Sequence, residues 1–369
     1  MGPTIAIGAN IYRHRKDLHL TQDDLARHLG VTKASVSKWE TGQSYPDVEL
    51  LPRIAAYFDV TVDALLGYEP QMGKEGIRSE RERLREAFAT MPFDVAHAQC
   101  QKLAHDYFSC YPLLVQIAVL YLNHLDLADG TKRGELAHEA VELCRRIRCY
   151  SSSSADIRLA EVVQATLELA TGDPQAAIEA LGDSPDIDLG ADMLLASAYS
   201  SLGQVDEADK TLQGALFQGL VLSLNRLAQM AALYASNPAK IDIAYERVRA
   251  IIDAFDLGSV YANTAAIHLS FAMTYMAGGC DDRALDCLDG YERAARALSF
   301  PIELHGDDFF DKTQSWLEDV NGIGTSAPRE DTLVKRTLVE SVAANPAFGP
   351  LSDEPRFKRI VESLKEVVR

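Results

Sequence analysis

No run of residues in this 369-residue chain is both long and apolar enough to cross a bilayer as a helix. No basic segment followed by an apolar core opens it, so the expectation is a cytoplasmic protein without a membrane partner. Cysteine is scarce: six in the whole chain are too few for a disulfide scaffold and read as reduced, mostly small core residues. The signatures of catalysis are missing as well. There is no glycine loop ending in Lys-Ser/Thr, no nucleophile elbow and no His-Glu-x-x-His pair. Cys144 with Cys149, Cys280 with Cys287, and the group His97, Cys100 and His105 have spacings that core packing or chance explains better than a metal. No metal, no cofactor and no enzymatic activity are expected.

Positive charge is also in short supply, with 36 Lys and Arg against 54 Asp and Glu and a net charge of -18. The deficit is unevenly spread. Residues 1–70 carry seven basic and nine acidic side chains, a net of -2, whereas the remainder carries 29 and 45, a net of -16. The nearly neutral head gathers Arg13, Arg15, Lys16, Arg27, Lys33 and Lys38 in one short region. The acidic remainder should repel phosphate and stay off a duplex.

What the head does contain is a run from Leu20 to Gly42 that reads as two short helices and a tight turn. Thr21 can cap the first, with Asp24 three residues on as its acidic partner. Leu25 and Leu29 share one face, and Gly30 sits where the chain must leave the helix with positive φ. Thr32 starts a second helix that turns Val36 and Trp39 or Glu40 inward and leaves Lys33, Ala34, Ser37 and Lys38 outside. That outer face suits a major groove: Lys donates to guanine acceptors, Ser donates or accepts, and Ala packs on a thymine methyl. Before it, Ile7 to Lys16 should form a helix. After it, Asp47 should cap a helix carrying Leu51, Ile54, Ala55 and Phe58, and Thr61 a brief one carrying Leu65 and Leu66.

Those residues, in that order, resemble the Cro/repressor-type helix-turn-helix family of bacterial and phage regulators. The match runs through Leu20-Thr21-Gln22, Leu29-Gly30-Val31-Thr32, Val36-Ser37-Lys38-Trp39-Glu40 and Gly42, and covers roughly residues 5–68. The resemblance implies a five-helix, lambda-repressor-like domain that binds palindromic double-stranded DNA as a homodimer. It places Lys33, Ala34, Ser37 and Lys38 at base edges, and Arg15, Gln22, Thr41, Gln43 and Ser44 at the DNA backbone. It also implies that Arg15 and Glu40 tie the first helix to the third. Two departures stand out: His14 where the family usually has a core leucine, and His19 where it often has glycine.

Beyond a linker at 70–77, holding Pro70, Gly73 and Gly76, the pattern is helix after helix with no good strand runs. Tyr199, Gly203 and Ala208 recur with the same offsets as Tyr275, Gly279 and Ala284. Ala165, Gly172 and Ala177 keep the glycine-to-alanine spacing, and Leu181, Leu212 and Leu288 each follow four residues later. Tyr234 with Ala244 reads as a related hairpin. Repeated units of this size stack into a solenoid with a concave surface. The pattern resembles degenerate tetratricopeptide repeats, most clearly from about Leu189 to Gln218. The fold expected is therefore all-α, divided into a head at 1–69, the linker at 70–77, a helical-repeat region at 78–300 and capping helices at 301–369. Within the last, one helix is expected over Gly306 to Asp319 and a loop from Gly322 to Arg329.

Asn225 and Asn263, within expected repeat helices, are candidates to clamp the backbone of an extended peptide, because a carboxamide donates and accepts together. The plan resembles peptide-responsive regulators of Gram-positive bacteria. The leading expectation is a dimeric, sequence-specific regulator whose repeats bind a peptide or protein effector. A DNA-binding adaptor whose solenoid constitutively recruits a protein is the second reading, and an enzyme with a site in the C-terminal region the third.

Overall fold

The computed structural model of the chain describes residues 6–67, 71–182, 190–321 and 325–368. Pro70 of the expected linker, Leu189 at the start of the clearest repeat, and residues 322–324 of the expected loop lie outside them. Among the described residues there is no strand, only an isolated antiparallel bridge between Glu303 and Ser326. The architecture is all-α.

The head is built from α1 (Ile7–Asp17), α2 (Gln22–Leu29), α3 (Lys33–Glu40), α4 (Leu51–Phe58) and α5 (Val62–Leu66), with a 3-10 turn at Val48–Leu50 before α4. Its core joins Ile7, Ile11, Leu25, Leu29, Val36, Trp39, Ile54, Phe58 and Leu65. Burying each such side chain contributes roughly 1.5–3 kcal/mol, so this small interior depends on all five helices meeting. Asn10 fixes the closure: its Nδ2 donates to the carbonyls of Ala64 at 3.3 Å and Leu65 at 3.2 Å, tying α1 to the end of α5. Gly8 sits where α1 crosses the end of α3, and a Cβ there would collide with the Trp39 carbonyl oxygen.

One termination device serves both ends of the chain. At Gly30, Gly42, Gly172, Gly203 and Gly279, φ lies between 68° and 86°, and the next residue's N–H reaches the carbonyl five positions back. The bonds run from Val31 to Ala26 at 3.0 Å, Gln43 to Lys38 at 2.8 Å, Asp173 to Glu168 at 2.8 Å, Gln204 to Tyr199 at 2.9 Å and Cys280 to Tyr275 at 2.9 Å. They satisfy carbonyls that a helix end would leave open. His19 at φ 55° and Asp59 at φ 56° close α1 and α4 the same way without being glycine. The place where the family often has glycine is thus a left-handed position held by a side chain that prefers to avoid it.

The remainder comprises α6 (Lys74–Thr90), α7 (Phe93–Asp106), α8 (Tyr111–Asn123), α9 (Gly130–Tyr150), α10 (Ser154–Ala170), α11 (Pro174–Leu181), α12 (Ala191–Ser201), α13 (Val205–Leu233) and α14 (Pro238–Ala254). It continues with α15 (Leu257–Val260), α16 (Thr264–Ala277), α17 (Asp281–Ala297), α18 (Thr313–Asn321), α19 (Asp331–Ala343) and α20 (Pro355–Val368). The three repeated spacings fall on the hairpins α10/α11, α12/α13 and α16/α17, and Ala177, Ala208 and Ala284 are buried at the crossings. Tyr234 and Ala244 flank the turn from α13 to α14.

Several expectations need correcting. Leu288 is buried, but Leu181 and Leu212 stand exposed, because among the described residues neither joins a hydrophobic core and Leu288 does. The second helix of the 189–218 unit does not stop near Gln218; α13 runs unbroken for 29 residues. Helix α6 starts at Lys74, inside the expected linker. Asn263 precedes α16 rather than lying within a helix. The helix expected from Gly306 begins only at Thr313, since the Asp307 carboxylate accepts from the Phe309 and Phe310 amides and turns the chain there.

Two interiors hold this region together, one built by α6 to α10 and the other by α13 to α20. The segment before α19 joins them. Arg81 Nη2 donates to the Ser326 carbonyl at 3.1 Å, Arg85 Nη1 to those of Ala327 and Arg329 at 3.3 and 3.2 Å, and Arg329 pairs with Asp126 at 3.0 Å.

Replacing Gly8 with Ala should force α1 off α3 and cost the head about 3 kcal/mol, read as a lower denaturant midpoint by Trp39 fluorescence in a Trp316→Phe background. His19→Gly should move that midpoint upward, by up to about 1 kcal/mol, because relief of the left-handed strain exceeds glycine's extra unfolded-state entropy.

Candidate nucleic-acid interface

Helix α3 is set by its ends. Thr32 Oγ1 accepts from the Ser35 amide at 3.1 Å, and Thr41 Oγ1 donates to the Ser37 carbonyl at 2.9 Å. Between them Val36 and Trp39 are buried in the core. That leaves Lys33, Ala34 and Lys38 exposed and Ser37 half-buried on the outer face. The four residues expected at base edges therefore share one exposed strip of a helix eight residues long.

Beneath the strip lies a polar clamp. Arg15 of α1 donates from Nε to Glu40 Oε1 at 2.6 Å and from Nη2 to Oε2 at 2.8 Å, a bidentate pair across 25 positions of sequence. Its Nη1 donates to the Leu20 carbonyl at 2.7 Å. Gln22, at the start of α2, donates from Nε2 to Glu40 Oε2 at 2.8 Å. One carboxylate thus fixes α1, α2 and α3 relative to one another. The charged side chains are 5% and 3% exposed.

This geometry revises one expected role. Arg15 is buried and spends its fork on Glu40 and Leu20, so it positions α3 rather than offering a charge to phosphate. Gln22 keeps part of its surface. Thr41 and Gln43 are exposed and Ser44 half-buried in the loop after α3, beside Tyr45, which is 69% exposed. Tyr45 went unnoticed in the sequence, although an aromatic residue in a polar loop was the available signal. Gly8 and Asn10, which place α1, were also missed; neither spacing nor hydropathy marks a glycine needed for a helix crossing.

The other candidates are not brought together. Asn225 Nδ2 donates to the Val221 carbonyl of its own helix at 2.8 Å. Asn263 lines a separate cavity of about 280 Å³ with Asn123, Tyr291, Leu298, Arg329 and Leu338. Of the cysteines, Cys100, Cys110, Cys144 and Cys287 are buried, and His97 pairs with Glu139 at 2.8 Å rather than facing Cys100 or His105.

Burial works to raise the Glu40 pKa, but hydrogen bonds from Arg15 and Gln22 and the Arg15 charge outweigh it and hold it below the usual 4.5. For Arg15 the Glu40 hydrogen bond dominates and raises the value further, so the guanidinium stays charged. A depressed carboxylate binds fewer protons folded than unfolded. The clamp's contribution is therefore complete above the unfolded value and lost as pH falls through the folded one. Glu40→Gln strands the Arg15 charge and should cost about 3 kcal/mol at neutral pH. The penalty should shrink as pH drops below 4.5, which paired denaturation curves of parent and variant across that range will show.

The helix-turn-helix family pattern matches residues 11–65. The chain is 46% identical over 55 residues to the HTH-type transcriptional activator BcrR of Enterococcus faecalis, covering 15% of this chain and 27% of that one. It is 34% identical over 70 residues to the ImmF control region 10 kDa protein of Bacillus phage phi105, covering 19% and 78%. An uncharacterized HTH-type transcriptional regulator of Methanocaldococcus jannaschii is 36% identical over 61 residues, covering 16% and 92%. Similar solved structures include PlcR of Bacillus thuringiensis in complex with the peptide PapR7 and DNA, at 14% identity and a TM-score of 0.27 over 78% of this chain and 96% of that one. Apo ComR of Streptococcus vestibularis, at 15% identity, scores 0.25 over 87% and 99%. TM-scores this low carry no weight for the arrangement of the helices. With a pattern that fills residues 11–65 and spans most of two short relatives, the chain belongs to the helix-turn-helix family of DNA-binding transcriptional regulators.

Proposed function

We propose that the chain is a sequence-specific regulator that grips a palindromic operator as a homodimer, under the control of a peptide or protein bound by its helical region. The observation that carries the DNA half is the outer strip of α3, with Lys33, Ala34 and Lys38 exposed above a clamp that fixes three helices. In this reading Lys33, Ala34, Ser37 and Lys38 meet base edges. Gln22, Thr41, Gln43 and Ser44 meet the backbone, and Arg15 acts through Glu40. A head with a net charge of -2 has little non-specific attraction for phosphate, so useful affinity needs two heads on half-sites about 34 Å apart.

The division into a head at 1–69, a linker at 70–77, a repeat region at 78–300 and a cap at 301–369 belongs to the same reading. Support for an effector comes from the cavity beside Asn263. Its wall includes Ala327, Pro328 and Arg329, the segment that the α6 guanidiniums hold. Helix α6 is the next helix in the chain after the head, so an occupant there would press on the element nearest in sequence to the DNA-binding end. Asn263 and Arg329 offer an amide and a cation to a peptide backbone or carboxylate, while Asn225 is committed to its own helix.

Selection of bound duplexes from a random pool by the full-length protein should return a palindrome with fixed half-site spacing. Lys38→Ala should then weaken binding to that sequence about 10- to 100-fold at fixed salt with an unchanged melting curve. Unchanged affinity would remove α3's outer strip from the interface. Failure to enrich any sequence would favour the adaptor reading, in which the helical region's protein partner is the principal function.

A further inference from the structure

Apart from the cavity beside Asn263, another lies at the first residues of α6. Its volume is about 320 Å³, and it is bounded by the start of α6, the first half of α8 and the start of α10. Met72, Ile77, Pro112, Val115 and Leu159 make its walls apolar. Cavities that are largely apolar with a few placed polar groups are where small molecules bind. At ~30 Å³ for a water-sized group, this one has room for about ten. That suits a single amino acid and is too small for an extended peptide.

Polar side chains in the lining are left without partners. Gln116 is 5% exposed, its Oε1 is sealed from solvent, and neither end of its carboxamide makes a hydrogen bond among the described residues. Interior carboxamides are almost always bonded, because stripping one of water without a partner is costly. Asp156 of α10 is half-buried and Lys74 of α6 is exposed. Neither forms a salt bridge among the described residues, so one charge of each sign lines the cavity unpaired. Burial pushes the Asp156 pKa up, and a hydrogen bond with the Ser153 hydroxyl only partly offsets it. The carboxylate is therefore held without the cation that would favour it.

We propose that this cavity binds a free aliphatic α-amino acid of leucine's size. Its ammonium pairs with Asp156, its carboxylate with Lys74 and the Gln116 carboxamide, and its side chain packs against Ile77, Val115 and Leu159. Each polar group then gains the partner it lacks. Asp156 offers acceptors, Lys74 offers donors, and Gln116 can turn either atom toward a ligand. A ligand with a single charge would leave the opposite side chain unmatched, whereas a zwitterion with an apolar tail matches the whole lining. Helices α6, α8 and α10 each contribute one of the three groups, so an occupant bridges the start of α6 to the other two. The site stands independently of the operator and of the effector cavity beside Asn263.

Isothermal titration of the full chain with L-leucine tests this. Binding with a dissociation constant below about 1 mM is expected, with a rise in melting temperature at saturating ligand. Asp156→Asn should weaken it about 10- to 100-fold. Lys74→Met should cost less, about 3- to 10-fold, because its exposed charge is screened. Gln116→Met keeps the volume and removes the unbonded amide, so it should weaken binding about 10-fold without lowering the melting temperature of the free protein. Leucine methyl ester and N-acetyl-leucine each lack one charge and should bind at least about 10-fold more weakly than leucine. Absence of both heat and a melting shift with leucine at about 10 mM would mean that the cavity holds water only, and would overturn the proposal. Leucine binding that Asp156→Asn and Lys74→Met leave unchanged would overturn it too, as would a methyl ester that binds as tightly as leucine.

Discussion

Arg15, Gln22 and Glu40 come from three different helices, and a single carboxylate satisfies two of them at once. The interaction is expensive to assemble. A buried ion pair loses hydration that its mutual attraction only partly restores, so an apolar trio of the same volume would give comparable stability. What an apolar trio would lack is direction. The planar guanidinium accepts one orientation of the carboxylate, and the Leu20 carbonyl fixes the guanidinium from behind. The outer strip of α3 is therefore held to an angle as well as a position. Reading base edges demands both, because a bidentate hydrogen bond fails with a small rotation of its donor.

The rest of the head can be derived from that demand. Eight-residue helices are too short to be stable alone, so each needs an N-terminal cap and a defined stop. Thr21, Thr32 and Thr61 supply the starts, and left-handed residues at 19, 30, 42, 59 and 67 supply the stops. These features were legible because their chemistry is local: a hydroxyl three residues before an amide, a glycine after an apolar stripe. His19 could be placed only by resemblance, since nothing intrinsic to histidine announces positive φ. Gly8 and Asn10 were not legible at all. Their partners, Trp39 and Ala64 with Leu65, are more than thirty positions away, and the reason for each residue lies in the partner.

The helical region divides along the same line. Its turns were legible, because Gly172, Gly203 and Gly279 close helices by the same bond and Ala177, Ala208 and Ala284 permit the same crossing. Helix lengths were not. Nothing in the composition of α13 says that it should continue past Gln218, yet Leu224, Ala228 and Ala231 extend its inner face into the second core without a break. Equally hidden was the fate of the leucines that follow each alanine. Leu181, Leu212 and Leu288 share a sequence register, but Leu288 is buried in the second core while Leu181 and Leu212 are exposed. Register assigns a face; a neighbour decides whether that face is interior.

The bonds between α6 and the segment at 326–329 set an energy scale for any control of the head through the helical region. Three charged-donor bonds to carbonyls and the Arg329–Asp126 pair join elements more than two hundred positions apart. Hydrogen bonds to charged groups contribute about 1.5–3 kcal/mol each when partly buried. Moving a two-state equilibrium from one per cent to ninety-nine takes about 5.5 kcal/mol of differential binding. The two magnitudes are comparable, so a ligand need only favour one arrangement of this junction, not remodel a core. A ligand that bound equally well with the junction open or closed would leave the head where it was, however tightly it bound. Its contacts must therefore include atoms that move when the junction does, and Ala327, Pro328 and Arg329 meet that requirement because they line the cavity and belong to the junction at once.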